Sequence, residues 1–305
     1  MSYTTYITSW GRNPIDLTNE IISKNILKSG SRLVLSFASF NFNGTDYIPG
    51  LNNMTMDDVK NLVNLAHNNG LKISLSVGGA TYPFATSDLY SQPGFLASNI
   101  NAVLNMCGFD GVDFDIEDSY SAVPADFANN AASLINTLKG LNPNLYITLT
   151  TAAQAWGAGA YQQNLINLTI GNLNAWQPME YDLWIAAGSS YKDQILYDLN
   201  FYQTTWGVSP NKIILGLMPG PDDMQHILSL QDAVDLTSFC KSNGYQGMMT
   251  WDIDIDSEGA DGNSPYAYSI AIQNNETEMD FFDNIIFYKN MVMNKIISFV
   301  KKHIN

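Results

Sequence analysis

Residues 110–117 read DGVDFDIE, and the order of polar and apolar side chains within them decides the fold. Val112, Phe114 and Ile116 alternate with Asp113, Asp115 and Glu117 at a period of two, which is a strand pattern and not that of a solvated acidic run. One face of this strand is apolar and the other is a ladder of three carboxylates. Asp110 stands ahead of the ladder and reads as a turn residue, and Gly111 as a point of close backbone approach.

Strand patterns recur on either side, at 2–10, 32–39, 71–80, 145–153, 177–182, 212–220 and 245–254, so the ladder at 111–118 is the fourth of eight. Helical patterns fall at 16–28, at 55–70, from Pro93 onward, and at 124–139, 190–205 and 230–243. In the second of these, Thr55 and Asp58 form a capping pattern and Gly70 a stop. Alternating strands and helices with right-handed crossovers predict an α/β chain folded as a (β/α)8 TIM barrel, within roughly the 250 residues such barrels need. A doubly wound sheet is the rival, but the first strand runs into SWGRNP at 9–14, which is no phosphate-binding loop. The short span between 220 and 245 leaves no room for a substantial insertion domain between the seventh and eighth strands.

The barrel is expected over 1–272 and a C-terminal extension over 273–305. Residues 281–305 carry Lys289, Lys295, Lys301 and Lys302 beside an apolar set that includes Ile285, Val292, Ile296 and Phe299. They read as an amphipathic helix that packs on the barrel or on another subunit, with membrane-surface attachment as the alternative; membrane association is not expected.

Hydrophobic residues make up 46% of the 305 and charged residues only 14%, the balance of a core-rich protein with an uncharged polar surface. The net charge is -15 and Arg12 and Arg32 are the only arginines, so no nucleic-acid partner is expected, since phosphate binding needs Lys or Arg clusters. A neutral or weakly charged ligand fits better. Cys107 and Cys240 read as buried thiols, not as a disulfide framework. The opening residues show no cationic stretch followed by an apolar run, so no leader is expected in this sequence, and no run of 18 apolar residues occurs. The N-x-Ser/Thr patterns at Asn43, Asn53, Asn167 and Asn275 arise readily in an Asn-rich chain.

In such barrels chemistry sits at the C-terminal ends of the strands, which places Glu117 uppermost and Asp113 deepest. Same-face neighbours lie about 6 to 7 Å apart at their α carbons, so the carboxylates interact. Burial and a neighbouring charge both keep a proton on one member, which lets a glutamic acid serve as a general acid near neutral pH. The titration belongs to the set and not to one residue. Magnesium or calcium is the competing account of clustered acids, but imidazole is scarce, with His67, His226 and His303 in helices or the tail. No metal or cofactor is expected, and a histidine-based triad is disfavoured.

With these residues in place, DGVDFDIE resembles the fourth-strand signature of family-18 glycoside hydrolases, which include chitinases and endo-β-N-acetylglucosaminidases. SVGG at 76–79, MEYD at 179–182 and MTWD at 249–252 resemble the family's third-, sixth- and eighth-strand segments, in the same order. The resemblance, over about 3–270, implies that Glu117 donates a proton to the glycosidic oxygen. It implies that Asp115 orients the substrate's 2-acetamido group, that Asp113 shares a proton beneath it, that Tyr181 hydrogen-bonds the acetamide, and that Asp182 supports the reacting sugar. It further implies that Trp251 forms the floor under that sugar. Trp10, Trp156, Gln154, Met179, Ser76, Gly78 and Gly79 are further candidates at the substrate, the two glycines and Ser76 also reading as architecture around the acids. Tyr82, Phe84 and Trp184 also sit near strand ends, and the proline the family usually has before Gln154 is missing.

The resemblance implies retaining hydrolysis of β-1,4 bonds between N-acetylglucosamine units of chitin, with the acetamide oxygen as nucleophile. It also implies a secreted or extracellular protein. Cleavage of the N-glycan chitobiose core is the close alternative. A silent glycan-binding or storage protein is the other, although such relatives typically lose the glutamate that stands here as Glu117.

Overall fold

The computed structural model describes residues 1–42, 47–51, 54–82, 92–118, 123–153 and 159–275. The expected helix at 281–305 and the candidates Phe84, Gln154 and Trp156 lie outside the described residues. Among the described residues nine strands form one sheet: β1 Ser2–Thr8, β2 Arg32–Phe42, β3 Tyr47–Gly50, β4 Lys72–Gly78, β5 Gly111–Ile116, β6 Tyr146–Ala152, β7 Ala175–Met179, β8 Ile214–Leu217 and β9 Gly247–Thr250. Eight of them pair in parallel around a ring that β1 closes by pairing with both β2 and β9. The ninth, β3, is an antiparallel edge strand on β2, with Phe42 opposite Tyr47. The sequence had not marked it, since four residues that include Pro49 carry no alternation.

Helices α1 Pro14–Ser23, α2 Met56–Asn68, α3 Pro93–Cys107, α4 Phe127–Leu141, α5 Gly159–Thr169, α6 Tyr191–Thr204 and α7 Leu230–Ser242 fill the crossovers, and α8 Ile253–Ser257 and α9 Ala267–Asn274 follow β9. Capping boxes set the starts of α2, from Thr55 and Asp58, and of α6, from Ser190 and Asp193, which satisfies N–H groups the first helical turn leaves unpaired. The seventh crossover holds α7 and no inserted domain. Among the described residues no helix is long and apolar enough to cross a membrane.

The alternation in DGVDFDIE has an inside-out meaning in this barrel. Val112, Phe114 and Ile116 face outward into the shell between sheet and helices, where each is at most 1% exposed and contributes about 2 kcal/mol by burial. The polar face turns into the lumen, where the register sets Asp113 beside Ser76 and Thr148, and Asp115 beside Gly78 and Thr150. A separate inner cluster of Tyr6, Val34, Phe37, Met179, Tyr181 and Met249 fills the rest. Gly111 is needed here, because a Cβ at that position would lie 2.7 Å from the Ser74 hydroxyl.

All the barrel strands but β2 end earlier than their sequence patterns. Among them β5 stops at Ile116, β7 at Met179 and β9 at Thr250, so Glu117, Tyr181, Asp182 and Trp251 stand on the loops at the C-terminal mouth. Asp182 adopts a left-handed backbone, φ 57°, which breaks the strand that 177–182 had suggested.

Candidate active site

Asp113 anchors the site from below. It is fully buried, and its Oδ2 accepts hydrogen bonds from the Tyr6 hydroxyl and the Ser76 hydroxyl, both at 2.7 Å. Its Oδ1 accepts from Thr148 at 2.6 Å, Thr150 at 2.8 Å and Gln177 Nε2 at 3.3 Å. Burial pushes its pKa up, and the donors from Thr148, Tyr6, Ser76 and Thr150 pull against that. With both oxygens filled by protein donors, Asp113 has little left to offer a metal ion.

Asp115, one step higher, is buried to 2% exposure, and its Oδ1 has no hydrogen-bond partner among the described residues. Burial raises its pKa well above the ordinary aspartate value, and the charges of Glu117 and Asp113 add to the shift. Glu117 is half-buried at the mouth and takes a hydrogen bond from the Ala80 backbone N–H. Burial is again the main reason its pKa is raised, with further contributions from Asp182, Asp118 and Asp223. The set therefore holds at least one proton in a pH range where free carboxyls have lost theirs.

An open cleft of 180 Å³ lies directly on this set, lined by Glu117, Ala152, Met179, Tyr181 and Asp182. Tyr181 is 7% exposed, and burial together with Asp115 and Glu117 drives its pKa well up, so it stays a phenol able to donate. Asp182 is held by the Asp223 N–H, which donates to its Oδ1 at 2.6 Å. Between them in MEYD, Glu180 turns away from the cleft, and its Oε1 accepts from the Tyr202 hydroxyl at 2.6 Å. Trp251 stacks on Phe37 with ring centroids 5.6 Å apart and planes 13° apart, and meets Tyr6 edge-on at 5.3 Å. Trp10, 49% exposed, stacks on the other partner of this wall, Phe37, at 5.6 Å.

The candidate residues thus divide by place. Glu117, Asp115, Tyr181, Asp182 and Met179 meet at or just under the cleft, and Trp251 and Trp10 form an aromatic wall at the mouth. Ser76 is wholly buried beneath, its hydroxyl spent on Asp113. Gly79, with φ 79°, makes room for the Phe37 ring, whose Cε2 would lie 2.5 Å from a Cβ there. Asp110 is at the opposite end of the strand, where it accepts from the Ile73 N–H and pairs with Lys72 and His67. Tyr6, Thr148, Thr150 and Gln177 were not singled out by the sequence. Their one signal was a polar side chain at an inward position of a strand, as in YITLTTA.

Known proteins carry the same architecture. The model for the glycosyl hydrolases family 18 matches residues 2–218. A family-18 chitinase from Pseudoalteromonas aurantia superposes with a TM-score of 0.71 at 17% identity, covering 90% of this chain and 100% of the other. Active domain 2 of the thermostable chitinase from Pyrococcus furiosus, complexed with chito-oligosaccharides, gives 0.71 at 16% identity over 92% and 95%. The Group IV chitinase of Ostrinia furnacalis gives 0.69 at 15% over 90% and 98%. No curated protein matches the sequence. With the acidic ladder at the mouth of a closed barrel and a family match over most of its length, the chain belongs to family 18 of the glycosyl hydrolases.

Proposed function

We propose that this glycoside hydrolase cleaves β-1,4 bonds between N-acetylglucosamine units of chitin, within the chain, with retention at the anomeric carbon. The observation that carries the reading is the unpartnered Oδ1 of Asp115, buried beside Glu117. A buried acceptor without a donor is costly, and the N–H of a substrate's 2-acetamido group is the donor that fits.

In this reading Glu117 gives its proton to the glycosidic oxygen as the bond to the anomeric carbon breaks. The acetamide oxygen of the same sugar forms the new bond to that carbon, so no protein nucleophile is required. Asp115 accepts the acetamide N–H and stabilises the positive charge of the resulting five-membered ring, while the Tyr181 phenol steadies the acetamide. Asp113, saturated with donors from below, keeps its neighbour in place and takes up part of the shared proton. Asp182 supports the reacting sugar, and Trp251 carries its apolar face. Glu117, now deprotonated, accepts a proton from the water that opens the ring, and the enzyme is restored. An open cleft, with no inserted domain between β8 and β9, supports internal cleavage in this reading.

Mass spectrometry of N-acetylglucosamine hexamer and of a high-mannose glycopeptide, each incubated with wild type and Glu117→Gln, tests this. Shorter oligomers from wild type alone support chitin cleavage. Release at the glycopeptide with an intact hexamer assigns the enzyme to the N-glycan core instead.

A further inference from the structure

Asp222 lies on the loop between β8 and α7, outside the acidic ladder, yet it is only 2% exposed. Its Oδ2 accepts from the backbone N–H of Asp182 at 2.9 Å and from the Tyr191 hydroxyl at 3.0 Å, and its Oδ1 from the His226 N–H at 2.8 Å. His226 Nδ1 comes within 3.7 Å of Oδ2, and among the described residues no Lys or Arg pairs with the group. Burying a carboxylate without a close cation is expensive, so the three donors mark a group spent on holding its neighbours.

The contact with Asp182 is the informative one. Asp182 has a left-handed backbone, φ 57°, which an aspartate tolerates only at some cost and best with local hydrogen bonds. Asp222 takes the N–H of that residue, and the Asp182 carboxylate in return takes the N–H of Asp223 at 2.6 Å. Two reciprocal bonds thus stitch the loop after β7 to the loop after β8. The side chain aimed by this stitch lines the cleft together with Glu117 and Tyr181.

We propose that Asp222 is a positioning residue for the hydrolytic site: it fixes the turn at Asp182 and thereby holds the Asp182 carboxylate beside Glu117. The proposal rests on the reading of Glu117 as proton donor. Glu117 is faced by Asp115 from its own strand, Asp118 next to it, Tyr181 and Asp182 from the loop after β7, and Asp223 from the loop after β8. Asp222 is faced by Tyr191, His226 and the Asp182 backbone. A negative charge beside Glu117 favours its protonated form, so a slack turn that lets Asp182 swing away makes Glu117 release its proton at lower pH.

The test compares Asp222→Ala, Asp182→Asn and the double variant in kcat, KM and the pH profile of kcat/KM on N-acetylglucosamine oligomers. Asp222→Ala is expected to lower kcat roughly tenfold with a smaller change in KM, and to move the alkaline limb to lower pH. In the Asp182→Asn background the same substitution should change neither further. Full additivity of the two losses, or an unmoved limb in Asp222→Ala, overturns the proposal and leaves Asp222 a purely structural residue. Should Asp222→Ala fail to fold, Asp222→Asn keeps one acceptor oxygen and carries the comparison. The Glu117 carboxyl titration, followed by 13C NMR in wild type and variant, reads the same displacement without turnover. An inactive wild type therefore counts against the chitin reading, while a titration unchanged by the substitution counts against the positioning role.

Discussion

Tyr6→Phe isolates the hydrogen bond that reaches Asp113 from β1. The phenol donates to Asp113 Oδ2 at 2.7 Å and shares a hydrogen bond with Thr150 at 2.9 Å, in a ring only 1% exposed. The substitution removes one oxygen and keeps the edge-on contact of the ring with Trp251. The bond with Thr150 and a longer one from Gln177 Nε2 at 3.4 Å go with it, but Thr150 retains Gln177 at 2.8 Å and Asp113 Oδ2 retains Ser76, so no partner is left bare and the bond onto the carboxylate dominates the loss. Such a bond contributes about 2 kcal/mol, which for a chain of this size lowers Tm by about 3 °C. The loss depends on pH, with a definite sign. Burial raises the Asp113 pKa above its unfolded value, and the Tyr6 bond is among the contacts that pull it back, so the substitution raises it further. Below the unfolded value, about 3.9, Asp113 is neutral in both states and only a neutral bond of about 1 kcal/mol is lost. Just above it both folded proteins keep the proton and the difference stays constant; as pH rises through the raised folded pKa of wild type, wild type ionises before the variant does, and the destabilisation grows. Thermal melts by circular dichroism over a pH series from about 3 upward should therefore show a larger gap at the alkaline end than at the acid end. A gap that is equal at both, or larger in acid, refutes the reasoning.

Asp115→Asn should lower kcat by roughly a hundredfold or more while oligomer affinity, read by calorimetry, stays within a few fold, because the carboxylate acts on charge that develops during reaction. Gly79→Ala should cost about 2 kcal/mol in a denaturant melt and weaken oligomer binding, since φ is 79° and the added Cβ would press the Phe37 ring that stacks on Trp251. Arg12, paired with Glu20, is the sole Lys or Arg in the loops that follow the eight barrel strands, whereas Glu117, Asp118, Asp182, Asp222, Asp223 and Asp252 stand among the acids there. A hexamer with glucosamine units away from the reacting sugar should therefore be cleaved with higher kcat/KM at low salt than the fully acetylated one. That advantage should vanish near 1 M salt, where the screening length is about 3 Å.

The ladder at 111–117 was legible because strand periodicity alone separates Val112, Phe114 and Ile116 from the acids, and burial of the first three then forces the acids inward. The eight barrel strands and most of their helices followed from the same signal. α5 did not, since Gln162, Gln163, Asn164 and Asn167 dilute the apolar set of Tyr161, Leu165 and Ile166. The donors around Asp113 were not legible for a different reason. Tyr6, Thr148 and Gln177 come from β1, β6 and β7, each an ordinary polar residue in its own strand, and only ring closure brings them to one carboxylate. The Asp222 to Asp182 contact joins loops 40 residues apart, and no local pattern encodes it.

The most direct measurement is real-time proton NMR of the reducing ends released from N-acetylglucosamine hexamer. Attack by the substrate's own acetamide, with Glu117 supplying the proton, predicts that the β anomer appears first and the α anomer only later by mutarotation. Initial release of the α anomer contradicts the mechanism.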